Sequence, residues 1–504
     1  MKDIKIISYY TGFSVIGVAL LMLIPMMVSL LADEMSVLLD FVISISISLT
    51  LGILLLSVSR GEVNKSQLEW RHGLIIAAFS WILLMILCAV PYWLSGHCRS
   101  FLDACFDVMS GFTTTGLSLL QDLDHISLGL NMWRHIVTFV GGQGIIVLAL
   151  TFLFRETGGA YKLYVGEAKD IEIVPNVKGT ARIIWKISII YLLIGTFVLW
   201  ICGMLIGLSP ISALLHGIFI FAAGWSTGGF APMSQNMLYY HSLSYEALAM
   251  VFFILGSLNF GLHYAVLNGK KKEIIKNIEM QSFYITAFLI SFLTALSISK
   301  LGLYSGSISM FRKVIYHVIS AHTTTGFATV YPRQFALEWG EAGLVMLIIA
   351  MLIGGSACST AGGIKGLRIA VVFRGIFADT RRLLSTERRV SVFKIHHLKD
   401  VVLEDSMVKT SSLIMICFLT LFLTETLAGM CFGYPLLDSA FEAASITGNV
   451  GLSAGITTAD MPDMLKICYI FGMYLGRLEF ISVFAFIGYV LGGARKICQK
   501  CLNV

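Results

Sequence analysis

The stretch Ser110-Gly111-Phe112-Thr113-Thr114-Thr115-Gly116-Leu117 occurs in four related versions along the chain. The other three are Gly224-Trp225-Ser226-Thr227-Gly228-Gly229-Phe230, Ala321-His322-Thr323-Thr324-Thr325-Gly326-Phe327 and Ile446-Thr447-Gly448-Asn449-Val450-Gly451-Leu452. The last glycines of the four versions are 113, 97 and 125 residues apart. This spacing leaves room for two membrane helices per repeat, so we expect four repeats that each bring one polar segment to a common axis.

The composition is that of a membrane protein. Of the 504 residues, 57% are hydrophobic and 13% charged, against roughly 45–50% and 25% in globular domains. Ten stretches are apolar and long enough to span a bilayer; they lie near 6–32, 36–59, 73–95, 129–154, 183–208, 242–267, 282–305, 340–374, 407–432 and 464–493. The first is too long for a signal peptide, so we interpret it as a retained helix.

Basic residues are concentrated in alternate loops. Between Lys365 and Lys399 there are nine Lys or Arg and two acidic residues, and Lys270–Lys272 follows another span. The positive-inside rule therefore places these loops and both termini in the cytoplasm. Beside a membrane such clusters favour contact with anionic lipid, and we expect no nucleic-acid binding. Cys498 and Cys501 form an isolated pair that we consider incidental rather than a zinc site.

A short apolar segment precedes each polar segment. Residues 101–109 form one of these, and a helix of about a dozen residues is roughly 18 Å long, half a bilayer. It can enter the membrane and turn back but cannot cross. We therefore predict an all-α integral membrane protein with four helix–pore loop–helix repeats around a central pore, plus an N-terminal two-helix hairpin. The predicted divisions are 1–62 for the hairpin, 63–155 for the first repeat, 156–268 for a linker and the second repeat, 269–376 for the third repeat with an intramembrane loop, and 377–504 for a linker and the fourth repeat.

The polar segments are suited to a dehydrated monovalent cation. Non-helical backbone at membrane depth is tolerated only where it is buried in protein or faces water, and four such segments can point carbonyls at an ion in place of its hydration shell. No carboxylate occurs in the four versions, which argues against a divalent site. The alternative is that they are ordinary Gly/Thr turns, which four copies behind four short apolar helices disfavour.

These segments resemble the selectivity filters of the TrkH family of bacterial potassium uptake proteins, in the superfamily that includes the Ktr and plant HKT transporters. The resemblance covers nearly the whole chain and includes the additional N-terminal hairpin. It implies that potassium is bound by residues ending in the last glycine of each segment: Thr114, Thr115, Gly116, Thr227, Gly228, Gly229, Thr324, Thr325, Gly326, Asn449, Val450 and Gly451. Sodium-preferring HKT members carry Ser at the first of these glycines, so Gly116 points to potassium. The Asn449-Val450 pair departs most from the Thr-rich pattern but is similar to that family too.

Two further features match the family. The first is the run of small residues from Gly354 to Lys365, which interrupts the eighth predicted span; unwound backbone in mid-span must line a cavity. It could be a plain connection to a cytoplasmic helix, whereas the resemblance implies an intramembrane gate that includes Gly354, Gly355, Gly362, Gly363 and Lys365. The second is Arg477, an arginine deep in a span. It could form a structural ion pair with Glu479 or Glu425, whereas the resemblance implies that it faces the pore below the filter.

The function implied by the resemblance is potassium uptake across the bacterial inner membrane through a gated, channel-like filter. It also implies a homodimer that docks on a cytosolic TrkA-like nucleotide-binding ring through residues 365–399 and 156–181, with bound potassium ions but no cofactor in this chain. One alternative is a symporter driven by sodium or protons. Another is a membrane enzyme, but the sequence lacks catalytic motifs; we interpret its single histidines in or near spans, His135, His216, His263 and His317, as packing residues.

Overall fold

The computed structural model describes residues 2–59, 69–120, 122–144, 147, 165, 177–385 and 392–502. Within these ranges the regular secondary structure is helical apart from one small β-hairpin and one isolated bridge, so the predicted all-α membrane fold is confirmed in its main feature. Six helical segments are long and apolar enough to cross a membrane: Asp3–Leu31, Met35–Val58, Trp70–Leu94, Lys178–Leu205, Ile278–Leu301 and Asp405–Cys431. Two bent helix pairs, described below, raise this number to eight.

The N-terminal helices pack against the first repeat. They are α1 (Lys2–Leu21), α2 (Leu23–Leu31) and α3 (Met35–Val58). Helices α1 and α3 cross closely at two glycines, because a β-carbon on Gly12 would lie 3.1 Å from the carbonyl oxygen of Gly52. At the turn before α3, the Glu34 carboxylate accepts hydrogen bonds from the backbone nitrogens of Leu128 (2.7 Å) and Gly129 (3.0 Å). The hairpin thereby satisfies free N–H groups at the start of a helix in the first repeat.

The remaining helices follow in four groups. The first group is α4 (Trp70–Leu94), α5 (Phe101–Phe112) and α6 (Leu128–Gln143), and the second is α7 (Val177–Leu205), α8 (Pro210–Trp225), α9 (Leu243–Gly256) and α10 (Phe260–Leu267), with a 3-10 turn at Asn236–Tyr240. The third is α11 (Glu273–Lys276), α12 (Ile278–Leu301), α13 (Ser307–Met310), a π turn (Phe311–Ile315), α14 (Tyr316–His322), α15 (Pro332–Glu338), α16 (Gly340–Leu352) and α17 (Gly366–Leu383). The fourth is β1 (Lys394–His397), β2 (Lys399–Val402), α18 (Asp405–Cys431), α19 (Leu436–Gly448), α20 (Asp463–Leu478) and α21 (Ile481–Leu502).

Each group contains one short helix in front of its polar segment. Helices α5, α8 and α19 have 12, 16 and 13 residues, too few to cross about 30 Å of hydrocarbon. Two of these helices begin at a capping serine. Ser100 accepts a hydrogen bond from the backbone nitrogen of Asp103, and Ser209, which immediately precedes Pro210, accepts one from the backbone nitrogen of Ser212. These are the usual N-cap and N1 residues of a helix. In the third group α13, the π turn and α14 together play this part.

In every group the helix that follows the polar segment ends at nearly the same distance from it. The residues that end these helices are Gly144, Ser257, Ile353 and Glu479, each 27 or 28 residues after the last glycine of its segment. The prediction of continuous spans over 242–267 and 464–493 was therefore wrong: the axes on the two sides of the break differ by 100° and 117°. The predicted span 129–154 is described as a helix only to Gln143.

A β-hairpin occupies part of the connector between the third and fourth repeats. Strands β1 and β2 are antiparallel, with Ile395 opposite Val401, and the side chain of Ile395 is buried together with Leu403 against the helices of the third group. Alternation of apolar and polar residues over a few positions favours a strand with one buried face. This short-range pattern accounts for the two strands.

The division into five parts stays a prediction. Its boundaries at 62/63 and 155/156 lie outside the described residues. The boundary at 268/269 falls at the end of α10, and the one at 376/377 falls inside α17. Helix α17 therefore carries the chain without interruption from the third predicted part into the fourth.

Candidate functional site

The four short helices end with the same backbone hydrogen bonds. In each polar segment one amide nitrogen donates to the carbonyl oxygen five residues earlier, and the preceding nitrogen donates to the carbonyl three residues earlier. The first kind of bond is Thr115 to Ser110 (2.8 Å), Gly228 to Ala223 (2.7 Å), Thr325 to Ser320 (2.8 Å) and Val450 to Ser445 (2.8 Å). The second kind measures 3.0–3.1 Å in all four segments. Together they form a Schellman motif, a common way to end a helix.

The residue at the left-handed position of this motif is unusual. Glycine normally occupies it, but here φ is 56° at Thr114, 52° at Thr227, 55° at Thr324 and 55° at Asn449. A β-branched side chain at positive φ is a strained arrangement, and such strain persists where the surrounding structure over-determines it. The last glycine of each segment again has positive φ, between 61° and 94°, whereas the residue between the two does not.

The four segments meet in a closed ring. A β-carbon placed on each last glycine would collide with a backbone carbonyl oxygen of the next segment. The pairs are Gly116 with Gly228, Gly229 with Thr325, Gly326 with Val450, and Gly451 with Thr115. Each segment thus touches the next one and the fourth returns to the first. The sequence-predicted residues are brought together around one axis, with four carbonyl oxygens at the junctions.

Side chains also join neighbouring segments. The Asn449 amide nitrogen donates to the hydroxyl oxygen of Thr115 over 3.0 Å, so the fourth segment is tied to the first. The ring of Phe230 lies against Gly111, and that of Phe327 against Gly224, in each case on the short helix of the preceding group. These contacts join successive groups around the ring.

A cavity of about 540 Å³ lies beyond the last glycines. Gly116, Gly229, Gly326 and Gly451 form its floor, and the chain returning from the segments forms much of its wall. Arg134 and Arg333 also contribute to this wall. Arg134 is buried and packs over the Phe230 ring with 4.4 Å between its guanidinium carbon and the ring centre. The cavity leads directly to the ring.

The run of small residues from Gly354 to Lys365 lies against the opposite side of the ring. All of it is buried, and Ile353 pairs with Ile364 in a parallel bridge that closes the loop at its base. The backbone nitrogen of Gly362 donates to the Thr324 hydroxyl over 2.8 Å, and the Thr360 and Thr227 hydroxyl oxygens are 3.2 Å apart. This placement favours an intramembrane loop over a plain connection to a cytoplasmic helix. Its action as a gate stays a prediction.

Glycines let this loop fold tightly on itself. A β-carbon on Gly354 would collide with the carbonyl of Gly362, and one on Gly355 would come 2.6 Å from the Ala361 side chain. Gly363 has φ of 66°, which glycine adopts without strain. At the end of the loop the ammonium of Lys365 donates to the carbonyl of Ala361 and lies 4.0 Å from Glu479 Oε1.

Arg477 bridges the loop and the first group. Its Nη1 atom donates to the carbonyl of Thr360 over 2.5 Å, and its Nη2 atom donates to those of Gly141 (2.9 Å) and Gly142 (3.2 Å). The two ion-pair alternatives fit less well. Glu479 is bonded to Arg368, and Glu425 Oε2 has no hydrogen-bond partner among the described residues. That Arg477 controls ion passage stays a prediction.

Sequence reasoning missed a set of anchoring side chains. Asp107, His317 and Glu442 each lie nine residues before the last glycine of their segment, and each accepts hydrogen bonds from the chain returning from that segment. The sequence alone favours a packing role for His317. It gives no local sign of a role for the two acids, because each stands alone in an apolar helix. Their common offset from the repeated glycine was the available signal.

Within the described ranges, no group of three or more His, Cys, Asp or Glu side chains could hold a metal ion. The oxygen atoms of the ring are backbone carbonyls. A ring of backbone carbonyl oxygens is an arrangement that can replace the hydration shell of a monovalent cation.

Comparisons with known proteins agree with this geometry. A family model described as cation transport protein, TrkH, matches residues 37–488. The chain is 30% identical over 495 residues to the Trk system potassium uptake protein TrkG of Escherichia coli, covering 96% of this chain and 97% of that one. It is 29% identical to an uncharacterized cation transporter of Methanocaldococcus jannaschii, covering 96% and 95% of the two chains.

The fold matches a solved structure. The crystal structure of the potassium transporter TrkH from Vibrio parahaemolyticus superposes with a TM-score of 0.80 and 25% identity, covering 95% of this chain and 97% of that one. These relatives are named as transporters, which is a non-enzymatic function and excludes the membrane-enzyme alternative. With the family model matched over most of its length, the chain belongs to the TrkH family of cation transport proteins.

Proposed function

We propose that this chain carries potassium into the cell across a bacterial inner membrane, through the ring formed by its four polar segments. The observation that carries the proposal is the cyclic contact of each last glycine with a carbonyl of the next segment. Backbone carbonyls around one axis can replace the hydration shell of potassium. The relatives named as potassium uptake proteins support the choice of ion.

The glycine at the ring is the feature that selects the ion. Gly116 has φ of 88° and its α-carbon faces the carbonyl of Gly228. A side chain at this position would be strained and would push the two segments apart. A wider or distorted ring would no longer match the size and field that potassium requires.

The small-residue loop acts as the gate in this proposal. It is buried directly against Thr227 and Thr324 of the ring, so a cation leaving the ring on that side meets the loop. Arg477 holds the loop to Gly141 and Gly142. The positive guanidinium next to the path also raises the energy of a cation there. Opening then requires the loop to move away from the ring.

The decisive experiment compares potassium and sodium flux in liposomes for the wild type and Gly116→Ser. We expect the variant to lose its preference for potassium. Gly433→Ser is a matched control, because Gly433 has φ of 89° but nothing within 4 Å of the added β-carbon. It carries the same backbone strain without a neighbouring carbonyl. Unaltered selectivity in Gly116→Ser would remove Gly116 from the filter.

The same liposomes test coupled transport. If potassium alone moves through the ring, the reversal potential follows the potassium gradient and ignores gradients of sodium and protons. A reversal potential that shifts with either of the other ions would instead support a symporter.

We further propose that the chain forms homodimers and docks on a cytosolic, nucleotide-binding ring similar to TrkA, with both termini in the cytoplasm. The relatives are named as members of a Trk system, which implies more than one component. The basic face at Arg381 and Arg382 is one candidate contact; the rest of that cluster, Arg388 and Arg389, and most of residues 156–181 lie outside the described residues. Reversing the charge of these four arginines together is expected to weaken co-purification with the partner. Unchanged co-purification would contradict this assignment.

A further inference from the structure

We propose that the position nine residues before each last glycine is a positioning site for the filter, occupied by Asp107 in the first group and Glu442 in the fourth. These carboxylates do not face the ion. They hold the chain that returns from the filter. This returning chain forms much of the wall of the cavity beyond the last glycines, here called the outer cavity. The inference rests on the proposed function and names the residues that keep its ring at the size potassium requires.

Asp107 anchors the first segment. It is fully buried in α5, and its Oδ1 atom accepts a hydrogen bond from the backbone nitrogen of Leu119 over 2.8 Å. Its Oδ2 atom accepts one from the hydroxyl of Ser118 over 3.2 Å. Ser118 is two residues beyond Gly116 and lines the outer cavity. The carboxylate thus fixes the exit of the first segment from behind.

Glu442 anchors the fourth segment more extensively. It is also fully buried, and its Oε1 atom accepts hydrogen bonds from the backbone nitrogens of Ala454 (3.1 Å), Ile456 (3.1 Å) and Thr457 (3.4 Å), and from the hydroxyl of Ser453. Its Oε2 atom accepts one from the Thr457 hydroxyl over 3.0 Å. A single side chain therefore holds four residues of the returning chain through five hydrogen bonds.

The third group achieves the same result with a histidine. His317 Nδ1 donates to the carbonyl of Lys313, so its Nε2 atom is left to accept from the backbone nitrogen of Thr329 over 3.1 Å. Hydrogen bonding of one ring nitrogen sets the role of the other. The Ser320 hydroxyl adds a bond to the carbonyl of Phe327 over 2.8 Å. Three different side chains at one helical position thus perform one task.

The second group differs. Ile220 occupies its corresponding position, and the returning chain is held from the neighbouring helix α6 instead. The Asn131 amide donates to the carbonyl of Pro232 over 3.2 Å, and Arg134 donates to that of Ala231 over 3.3 Å. This difference supplies an internal control, because a substitution of Ile220 removes no hydrogen bond from the returning chain.

The energetic argument follows from burial. A buried carboxylate is costly unless hydrogen-bond donors surround it, and here most of the donors are backbone N–H groups of the return. The returning chain is therefore held in the conformation that points these N–H donors at the carboxylates. Groups that orient ion ligands from behind affect binding without touching the ion, and losing one typically costs about 10–100-fold in affinity for bound metal ions.

The test measures the ratio of potassium to sodium flux in liposomes for Asp107→Asn and Glu442→Gln. Each substitution keeps the size of the side chain but removes the charge and one acceptor oxygen. We expect the ratio to fall by about tenfold in each variant, with a smaller change in the total flux. Thr457→Val leaves the acceptor Glu442 in place and removes the hydroxyl that donates to it. We expect this variant to lower the ratio as well, so it tests the proposal even where an acid variant does not fold.

Two control variants are matched to these. Asp103→Asn alters another buried acid, one helical turn earlier in α5, whose partner is Lys466 at 2.7 Å rather than the return. Ile220→Val alters the corresponding position of the second group. Both are expected to keep the wild-type ratio.

The outcomes separate this inference from the proposed function. Folded Asp107→Asn and Glu442→Gln with a wild-type ratio would overturn the positioning role, and so would an equal fall in Asp103→Asn. In both cases a potassium-selective wild type and a loss of selectivity in Gly116→Ser would leave the proposed function intact. A wild type with no preference for potassium would instead contradict the proposed function.

Discussion

The backbone nitrogen of Gly362 donates a hydrogen bond to the Thr324 hydroxyl oxygen over 2.8 Å. This bond joins the small-residue loop to a ring residue whose φ is 55°. A threonine in this strained position provides a hydroxyl that the glycine usual at a helix end could not. The ring and the loop are therefore directly connected, and we expect a substitution in one to alter the other.

Thr360 offers a clean test of that connection. Its hydroxyl lies 2.8 Å from the carbonyl of Gly256, 3.0 Å from that of Trp225 and 3.2 Å from the Thr227 hydroxyl. Thr360→Val keeps the shape and removes these bonds, so we expect the loop to be released more often and resting potassium flux to rise about tenfold, equivalent to losing one or two hydrogen bonds. Flux in liposomes measures this.

Thr420→Val is the control for that variant, since the Thr420 hydroxyl is exposed and bonds only within its own helix to the carbonyl of Ile416. It should leave flux unchanged. Equal flux in the wild type and Thr360→Val would mean that the loop is not held by this residue.

Arg477 should be more sensitive than its charge alone suggests. Its planar guanidinium reaches three carbonyls at once, those of Thr360, Gly141 and Gly142, which a lysine ammonium on a different stem cannot match. We expect Arg477→Lys to raise resting potassium flux about tenfold or more, as a bond to a charged group is lost. The exposed Arg99, paired with Asp460, provides the control Arg99→Lys, and identical fluxes in the two variants would count against a role for Arg477 in closing the path.

Lys466 and Asp103 form an ion pair at the outer end of the first short helix. The Nζ and Oδ1 atoms are 2.7 Å apart and the two side chains are 5% and 4% exposed. Removing one partner leaves a buried charge without compensation, so Lys466→Met is expected to lower the free energy of unfolding by about 3 kcal/mol. Chemical denaturation in detergent measures this. The exposed Lys300 gives the control Lys300→Met, and a loss no larger than in that control would show that the pair adds no stability.

The β-hairpin should respond to pH. His396 Nδ1 lies 2.7 Å from Asp400 and its Nε2 atom lies 2.9 Å from Glu273 of α11, and these acceptors raise the pKa of His396 above its usual 6.5. The contact is thus fully present below pH 6.5 and is lost as the pH rises through the raised pKa. We expect hydrogen exchange in 394–402, corrected for its intrinsic pH dependence, to increase over that window. In His396→Gln the corrected exchange should not vary with pH; a pH-dependent change of the same size there would assign the effect to another group.

Much of the arrangement could be predicted from the sequence because the repeated segment marks it four times. The segments around Gly116, Gly229, Gly326 and Gly451 do meet, as the repetition implied. The ends of the helices that follow the polar segments are only partly visible in the sequence. Glycines mark the break in the third group and the helix end at Gly144 in the first, whereas Glu479 and Phe480 adopt positive φ without any glycine.

Other features depend on tertiary contacts that no local pattern carries. Asp107 and Glu442 look like isolated acids in apolar helices until the returning chain is seen around them. The partners of Arg477 are backbone carbonyls, which every residue possesses, so its sequence neighbours could not identify them. Spacing is the sequence signal that does identify these features. Asp107, His317 and Glu442 lie at one fixed distance before the last glycine of their segments, and the helix ends lie at a nearly fixed distance after it.

The closure of the ring within one polypeptide has a consequence for assemblies. Because the contact from Gly451 to Thr115 completes the circle inside a single chain, the proposed permeation route lies entirely within one subunit. In the proposed homodimer the two subunits would then conduct in parallel. Inactivating one subunit of a tandem fusion would halve the current without changing the ion selectivity of the remaining current.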